Sequence, residues 1–328
     1  HSNRFREAEE WLQRALQRAE KSYGSAAPAT ATALSNLAQL LKTTNRLEQA
    51  EPLMRRALEI DEHSFGPEHP NIAIRLNNLA MLLQDTNRLQ EAERLMRRAL
   101  AIDEQSSGPE HPDVARGLSN LANLLHNTNR LQEAEPLIRR ALEIDEQRFG
   151  PEHPNVALRL NNLAMLLQDT NRLQEAEPLI RRALAIDEQT YGPEHPNVAL
   201  RLNNLAHLLQ ATNRLQEAEP LMRRALAIDE RSYGSEHPAV ARDLNNLVSL
   251  LWITNRLPEA ESLSRRLVAL LLYFTRRTGH PHLQLDAALA NYQTILKHRG
   301  RSGAEIEADI RALQERSEES ASNRNSSS

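Results

Sequence analysis

The chain has 328 residues, of which 40% are hydrophobic, 26% charged and only 3% aromatic, with a formal net charge of -4. Those proportions suit a soluble, Leu/Ala-rich helical protein and argue against nucleic acid as a partner, because no net positive charge and no long Lys/Arg run is available for a phosphate backbone. Zero cysteines exclude disulfides and thiolate metal sites and point to a reducing compartment, the cytoplasm.

The first tract opens on Asn3-Arg4, and the same dipeptide returns at 45/46, 87/88, 129/130, 171/172, 213/214 and 255/256, a period of 42 residues. A fixed period of this size means stacked copies of one supersecondary unit, hence a single array whose surface, rather than an enclosed pocket, is the functional part. Residues 1–24 read as the second-helix half of a truncated repeat. Together with the opening His1, this suggests a piece of a longer protein. Six units of 42 residues follow over 28–278, beginning at Pro28, Pro70, Pro112, Pro154, Pro196 and Pro238.

In the unit at 70, Pro70 suits the first turn of a helix, and Leu76, Leu79, Ala80 and Leu83 form its apolar stripe. Asp85-Thr86-Asn87 ends that helix, with Asn87 expected to cap the next. Leu89, Ala92, Leu95, Met96, Ala99, Leu100 and Ile102 stripe the second helix, which closes at Gly108-Pro109. The unit is therefore an antiparallel helix pair. Pro52, Pro136, Pro178 and Pro220 fall inside second helices and predict a bend or a loose first turn, whereas Arg94 and Ser262 stand at the same position in other copies. Paired arginines, 55/56 through 265/266, follow a glutamate by four residues and predict surface ion pairs on a solvated face.

The last unit carries Leu270-Leu-Leu-Tyr-Phe274 where another copy has Asp229-Glu230. This run is far shorter than the roughly 20 apolar residues a bilayer span needs. A diverged capping helix pair at 279–316, with Leu285, Leu289, Tyr292, Leu296, Ile306, Ile310 and Leu313 as its apolar positions, is expected to cover it. Residues 317–328 form a polar Ser/Asn/Glu tail expected to be disordered.

Little in the chain resembles catalytic chemistry. His69, His111, His153, His195, His237, His280 and His282 recur near helix starts, but copies on successive repeats point in parallel rather than converging on a metal. Phosphate-cradle, zinc-protease and nucleophile-elbow motifs are missing. No enzyme activity, metal or cofactor is expected.

What remains is the exposed face of the first helices. In the unit at 70 the arc opposite the stripe holds Ile74, Asn77, Met81, Gln84 and Asp85, with Asn78 at its edge. The edge residue is asparagine in every copy: Asn36, Asn78, Asn120, Asn162, Asn204 and Asn246. Asn161, Asn203 and Asn245 match Asn77. The central rows vary, with Gln39, Met81, Asn123, Met165, His207 and Ser249 in one, and Lys42, Gln84, His126, Gln168, Gln210 and Trp252 in another. A ladder of amides can hold the main chain of an extended peptide while the variable rows read its side chains, or it can bond a neighbouring repeat's backbone. Arg116 and Arg242 join Lys42 on this face opposite Asp85 and Asp169, so neither an acidic nor a basic ligand is specified. Trp252, beside Ile253, is either a binding hot spot or a residue covered by the cap.

Leu76, Leu79-Ala80, Ala92 and Ala99 fall at the spacing of the tetratricopeptide repeat (TPR). The 42-residue form with Gly-Pro-Glu-His-Pro and Leu-Asn-Asn-Leu-Ala resembles kinesin light chain and its prokaryotic relatives over about residues 3–278. Leu76 and Leu83 depart from the aromatic residues usual in the shorter repeat. The resemblance implies an all-α, right-handed superhelical solenoid of antiparallel helix pairs, with the edge asparagine clamping peptide backbone. The expected function is a non-catalytic, monomeric scaffold that binds a protein or peptide segment along its concave groove. The alternative is the sensing or regulatory arm of a larger signalling protein with an upstream NTPase or effector domain.

Overall fold

The computed structural model describes residues 2–278 and 282–325, with side chains placed for 5–277 and 282–315. Among the described residues there are fifteen helices and no strand. First helices are α2 (Pro28–Thr43), α4 (Pro70–Asp85), α6 (Pro112–Asn127), α8 (Pro154–Asp169), α10 (Pro196–Ala211) and α12 (Pro238–Ile253). Second helices are α1 (Ser2–Tyr23), α3 (Leu47–Phe65), α5 (Leu89–Ser107), α7 (Leu131–Phe149), α9 (Leu173–Tyr191), α11 (Leu215–Tyr233) and α13 (Leu257–Thr278), and α14 (Leu285–His298) and α15 (Gly303–Asn325) complete the chain. Two compact units, His1–Leu166 and Leu167–Ser328, are described separately below. None of the described helices is long and apolar enough to cross a membrane.

Repeated backbone devices make each pair. Asn45, Asn87, Asn129, Asn171, Asn213 and Asn255 all have φ of 57–60°, the left-handed conformation that asparagine tolerates better than other non-glycine residues. Asn87 therefore does not cap the second helix, as the sequence suggested, but terminates the first. Its N–H donates to the Gln84 carbonyl at 2.9 Å, and the Arg88 N–H donates to the Leu83 carbonyl at 2.8 Å, closing a Schellman motif. Helices α3, α5, α7, α9 and α11 end on glycines with φ of 84–89° and an extended ψ, a combination side-chain-bearing residues avoid.

Proline leaves the helices unbroken, and their first turn gains a 3₁₀-type contact rather than the expected looseness. In α3, α7, α9 and α11, which contain Pro52, Pro136, Pro178 and Pro220, the N-cap arginine carbonyl accepts two N–H groups, as Arg46 does from Gln49 and Ala50 at 3.2 Å. In α5, where Arg94 replaces proline, the Arg88 carbonyl accepts only from Ala92, at 3.1 Å.

The histidines before the first helices have a local task. His69, His111, His153, His195 and His237 are N-caps whose Nδ1 accepts the N–H two residues on at 3.2–3.3 Å. Four of these rings also stack on the aromatic that ends the preceding helix, at 4.2–4.7 Å: Phe65 on His69, Phe149 on His153, Tyr191 on His195 and Tyr233 on His237. His282 accepts from the Gln284 N–H at 3.2 Å in the same local pattern, although the N-cap of α14 is Gln284 itself, and His280 lies outside the described residues.

Each repeat has its own piece of core. Ile72, Ala73, Leu76, Ala99 and Ile102 are fully buried with Leu58 and Leu95 packed against them, and Val198, Ala199, Leu202, Ala225 and Ile228 form the same cluster in the second unit. Alanines at the crossing let the helices approach while leucines fill the remaining space. At the C-terminal end, Leu270, Leu271 and Leu272 are buried against α14 and α15, together with Leu285, Tyr292, Leu296, Ile306 and Leu313. The Tyr292 hydroxyl donates to Asp309, which also pairs with Arg265 at 3.0 Å. The backbone of 317–325, read from sequence as tail, continues α15, in keeping with its Glu, Arg and Ala content; 326–328 lie outside the described residues.

Candidate functional site

Arginine and aspartate set the geometry of the first helices. The Nε of Arg75, Arg159 and Arg201 donates to Asp61, Asp145 and Asp187 on the preceding second helix at 2.8–2.9 Å, and all three aspartates are buried. Arg75 also reaches across to the previous first helix, donating to the Ser35 Oγ at 2.7 Å. A first helix therefore buries two flanks, one against its own partner and one against its neighbour. A single-helix projection misses the second flank, which is why Asn77 was expected on the open arc.

The structure corrects that position. Asn77, Asn161 and Asn203 are only 5%, 7% and 2% exposed and lie on the flank that faces neighbouring first helices, not on the groove. Asn203 shows what this row does, donating to the Ala199 carbonyl at 3.1 Å and to Asp243 on the next first helix at 2.8 Å. Asn245 is half-buried.

The edge asparagines divide into two groups. Asn78, Asn120 and Asn162 are half-buried, and among the described residues their side chains make no hydrogen bond. Asn246 is buried and donates to Asn203 at 3.2 Å, and Asn204 is already engaged within the protein. In the first unit the ladder is open; in the second it is partly mortar between repeats.

Beside the open ladder, Ile74, Met81 and Leu158 are 48%, 43% and 43% exposed, and Asn123 is exposed as well. Positions 74, 78, 81 and 85 share one helix face by their spacing. Ile74 and Leu158 belong to a row that also holds Arg116, Leu200 and Arg242; of its apolar members only Ile74 was expected on the open arc, and Leu158 and Leu200 were not named. Both were legible as leucines at positions no core stripe uses. Met165, Gln84, Gln168, Gln210 and His126 are half-buried. Lys42 pairs with Asp85 at 3.1 Å, so part of this row's charge is neutralised between repeats.

His207 keeps an exposed edge, but the neighbouring side chains partly desolvate its ring and, with the Arg242 charge, push its pKa down against a hydrogen bond with Asn246 that raises it. Trp252 is not free. It meets His298 of α14 edge-on at 4.8 Å and packs on the cluster of Val248, Leu251, Ala260 and Ile295, at the wall of a cleft of about 280 Å³.

Away from this face the second helices carry an ion-pair lattice. Arg46, Arg88, Arg130, Arg214 and Arg256, the arginines of the recurring dipeptide, each hold a glutamate 37 residues earlier at 2.5–2.7 Å. Arg56, Arg98, Arg140 and Arg224 pair with a glutamate 36 residues earlier at 2.6–2.7 Å; the expected contact four residues back is made by Arg55, Arg97, Arg139, Arg181 and Arg223, whereas Arg265 pairs with Asp309. A broad depression of about 1160 Å³ lies over this lattice, and Arg88, Glu91, Glu93 and Arg130 in its lining are already paired with one another.

Position 75 of the repeat varies, and its variants unbalance buried charge. Asp243 replaces the arginine in α12 and stands beside buried Asp229, with Arg242 bridging the two at 2.9 and 3.0 Å. Burial first, then the Asp243 charge, pushes the Asp229 carboxyl up to about 7. The folded pair holds a proton the unfolded chain releases, so this site stabilises the protein at low pH. That contribution disappears as pH rises from about 4 to about 7. Asp229→Asn should flatten that part of the profile, measured as denaturant midpoints between about pH 5 and pH 8; an unchanged slope would show that Arg242 already neutralises the pair.

The family profile of the tetratricopeptide repeat matches residues 1–63, 46–105, 72–147, 113–189, 158–231 and 200–272. Among solved structures, BtubC (BKLC) from P. vanneervenii is 25% identical with a TM-score of 0.60, covering 71% of this chain and 94% of that one. A kinesin-light-chain-type protein of Podospora anserina with nearly identical TPR-like repeats is 28% identical, with a TM-score of 0.54 and 62% and 96% coverage. The apo form of RapI shares the fold at 14% identity, with a TM-score of 0.56 and 86% and 99% coverage. A search of curated protein sequences found no match. With the repeat profile spanning residues 1–272, the chain belongs to the tetratricopeptide repeat family, and kinesin-light-chain-like proteins are among the structures it is similar to.

Proposed function

We propose that this chain is a non-catalytic scaffold that holds an extended segment of a partner protein against the first helices α4, α6 and α8. Arrays of this family commonly serve as protein-interaction scaffolds. The observation that carries the reading is the open ladder: Asn78, Asn120 and Asn162 present unbonded amides beside exposed Ile74, Met81 and Leu158. An amide that donates and accepts can pair with a peptide main chain irrespective of its sequence, while the neighbouring apolar row receives side chains. The partner segment is accordingly extended and carries aliphatic side chains at intervals. A chain without cysteine suits a reducing compartment, and the cytoplasm is the one we assign to it.

Hydrogen exchange of the full chain with an extended peptide selected by display tests the assignment. Slowed exchange should concentrate in α4, α6 and α8. Protection concentrated in α5 and α7 would place the site on the other face.

A further inference from the structure

Gly117 occupies the place in α6 where Arg75, Arg159 and Arg201 stand in their repeats. We infer that the space beside it is a specificity slot for a guanidinium group, formed by Asp103 and Asn77 and filled by an arginine side chain of the bound partner.

The chemistry follows from the sibling repeats. Arg75 shows how a guanidinium seats here: Nε on Asp61 at 2.8 Å, one terminal nitrogen on the Ser35 Oγ at 2.7 Å. The equivalents around Gly117 are Asp103, 14 residues earlier, and Asn77, 40 residues earlier, at the same offsets. Asp103 is 4% and Asn77 5% exposed. The Asp103 Oδ2 and both polar atoms of the Asn77 side chain have no hydrogen-bond partner. The Asp103 Oδ2 lies 3.9 Å from where a Cβ on Gly117 would stand, and the Leu100 Cδ1, 3.3 Å from the same point, crowds the slot and has to swing aside for a guanidinium to enter. A carboxylate and an amide oxygen that are buried and unbonded are costly unless a donor reaches them, and a planar guanidinium supplies several in the required fork.

Position 74 of the repeat marks the mouth. In the Arg75 slot a terminal nitrogen lies 3.4 Å from the Thr32 hydroxyl on an exposed residue; for Gly117 the corresponding residue is Ile74, on the face assigned to the partner. The inference deepens the proposed function and rests on it for access from that face. The neighbouring charges are Asp113, Arg116 and His111, and burial raises the Asp103 carboxyl to about 6, which a bound cation would reverse. Arg116 is the internal competitor. Arg242, at the same repeat position, reaches Asp229 at 2.9 Å, whereas Arg116 turns outward to Asp113 at 3.0 Å.

The test uses acetyl-Gly-Arg-Gly-amide on the full chain, read by the carboxyl carbon-13 resonance of Asp103, so no groove ligand is needed. A saturable shift is expected, absent with the citrulline analogue. Affinity should fall about tenfold to a hundredfold in the isosteric Asp103→Asn variant, read from backbone amides around Gly117, and likewise in Gly117→Arg, which fills the slot. No saturable shift, an equal response to citrulline, or binding that appears only in Arg116→Ala would overturn the inference. Failure here with intact display-peptide protection of α4, α6 and α8 would remove the slot and leave the groove standing.

Discussion

Replacing Arg159 by methionine is expected to lower the unfolding free energy by about 3 kcal/mol at neutral pH. The change leaves Asp145 buried beside a thioether, its Oδ2 stripped of the 2.8 Å bond and its Oδ1 already unbonded. A lone carboxylate in such a site does not stay charged at any cost, because it takes up a proton, and protonation bounds the penalty. Asp103 is the internal measure: it lacks an arginine, and its carboxyl rises from 3.8 to about 6, worth about 3 kcal/mol at pH values above both figures. Two consequences separate this mechanism from simple loss of packing. The deficit of Arg159→Met should shrink as pH falls from about 7 to about 5, and adding Asp145→Asn should recover most of it. A deficit independent of pH and untouched by the second change would assign it to the lost arginine stem instead.

The contrast between what the sequence disclosed and what it concealed follows from the same residues. Period, pairing and core stripe were legible because each copy repeats the 3.6-residue pattern of one amphipathic helix, and Leu76, Leu79 and Ala80 are all fully buried. The second buried flank of the first helices was not. It arises only when copy meets copy, and its residues are polar: Arg75 to Ser35, Asn203 to Asp243. Hydrophobic periodicity cannot see such contacts. For the same reason Asn77 and Asn78, adjacent in sequence, have different fates, one buried on the flank between first helices and one on the open edge. The inter-repeat signal was present as a constant offset, glutamates 36 and 37 residues before the arginines they pair with. Asn87 was misread because asparagine serves equally as an N-cap and as a left-handed C-terminal residue, and only its φ of 60° distinguishes them.

Leu76→Ala should cost about 2–5 kcal/mol, at the upper part of that range if the surrounding alanines prevent collapse. Leu76 is wholly enclosed by Ile72, Ala73, Ala99 and Ile102, with Leu58 and Leu95 behind, and alanines cannot extend into the space its side chain leaves. Because each repeat contacts only its neighbours, the loss should appear as faster hydrogen exchange in α3 to α6 with little change in α11 to α13. Equal acceleration along the whole chain would mean that the array unfolds as one cooperative body.

The proposed scaffold function turns on the open asparagines. Asn78→Ala combined with Asn120→Ala removes two unbonded amides, and hydrogen bonds of this kind are worth about 0.5–1.5 kcal/mol each. The measurement is the affinity of the display-selected extended peptide for the double variant by calorimetry, alongside its thermal midpoint. The expected result is binding weaker by about tenfold to a hundredfold with helix content and thermal midpoint unchanged, since neither amide bonds within the protein and alanine favours helix. Undiminished affinity in a variant that melts at a clearly lower temperature would contradict it, making the ladder structural mortar throughout.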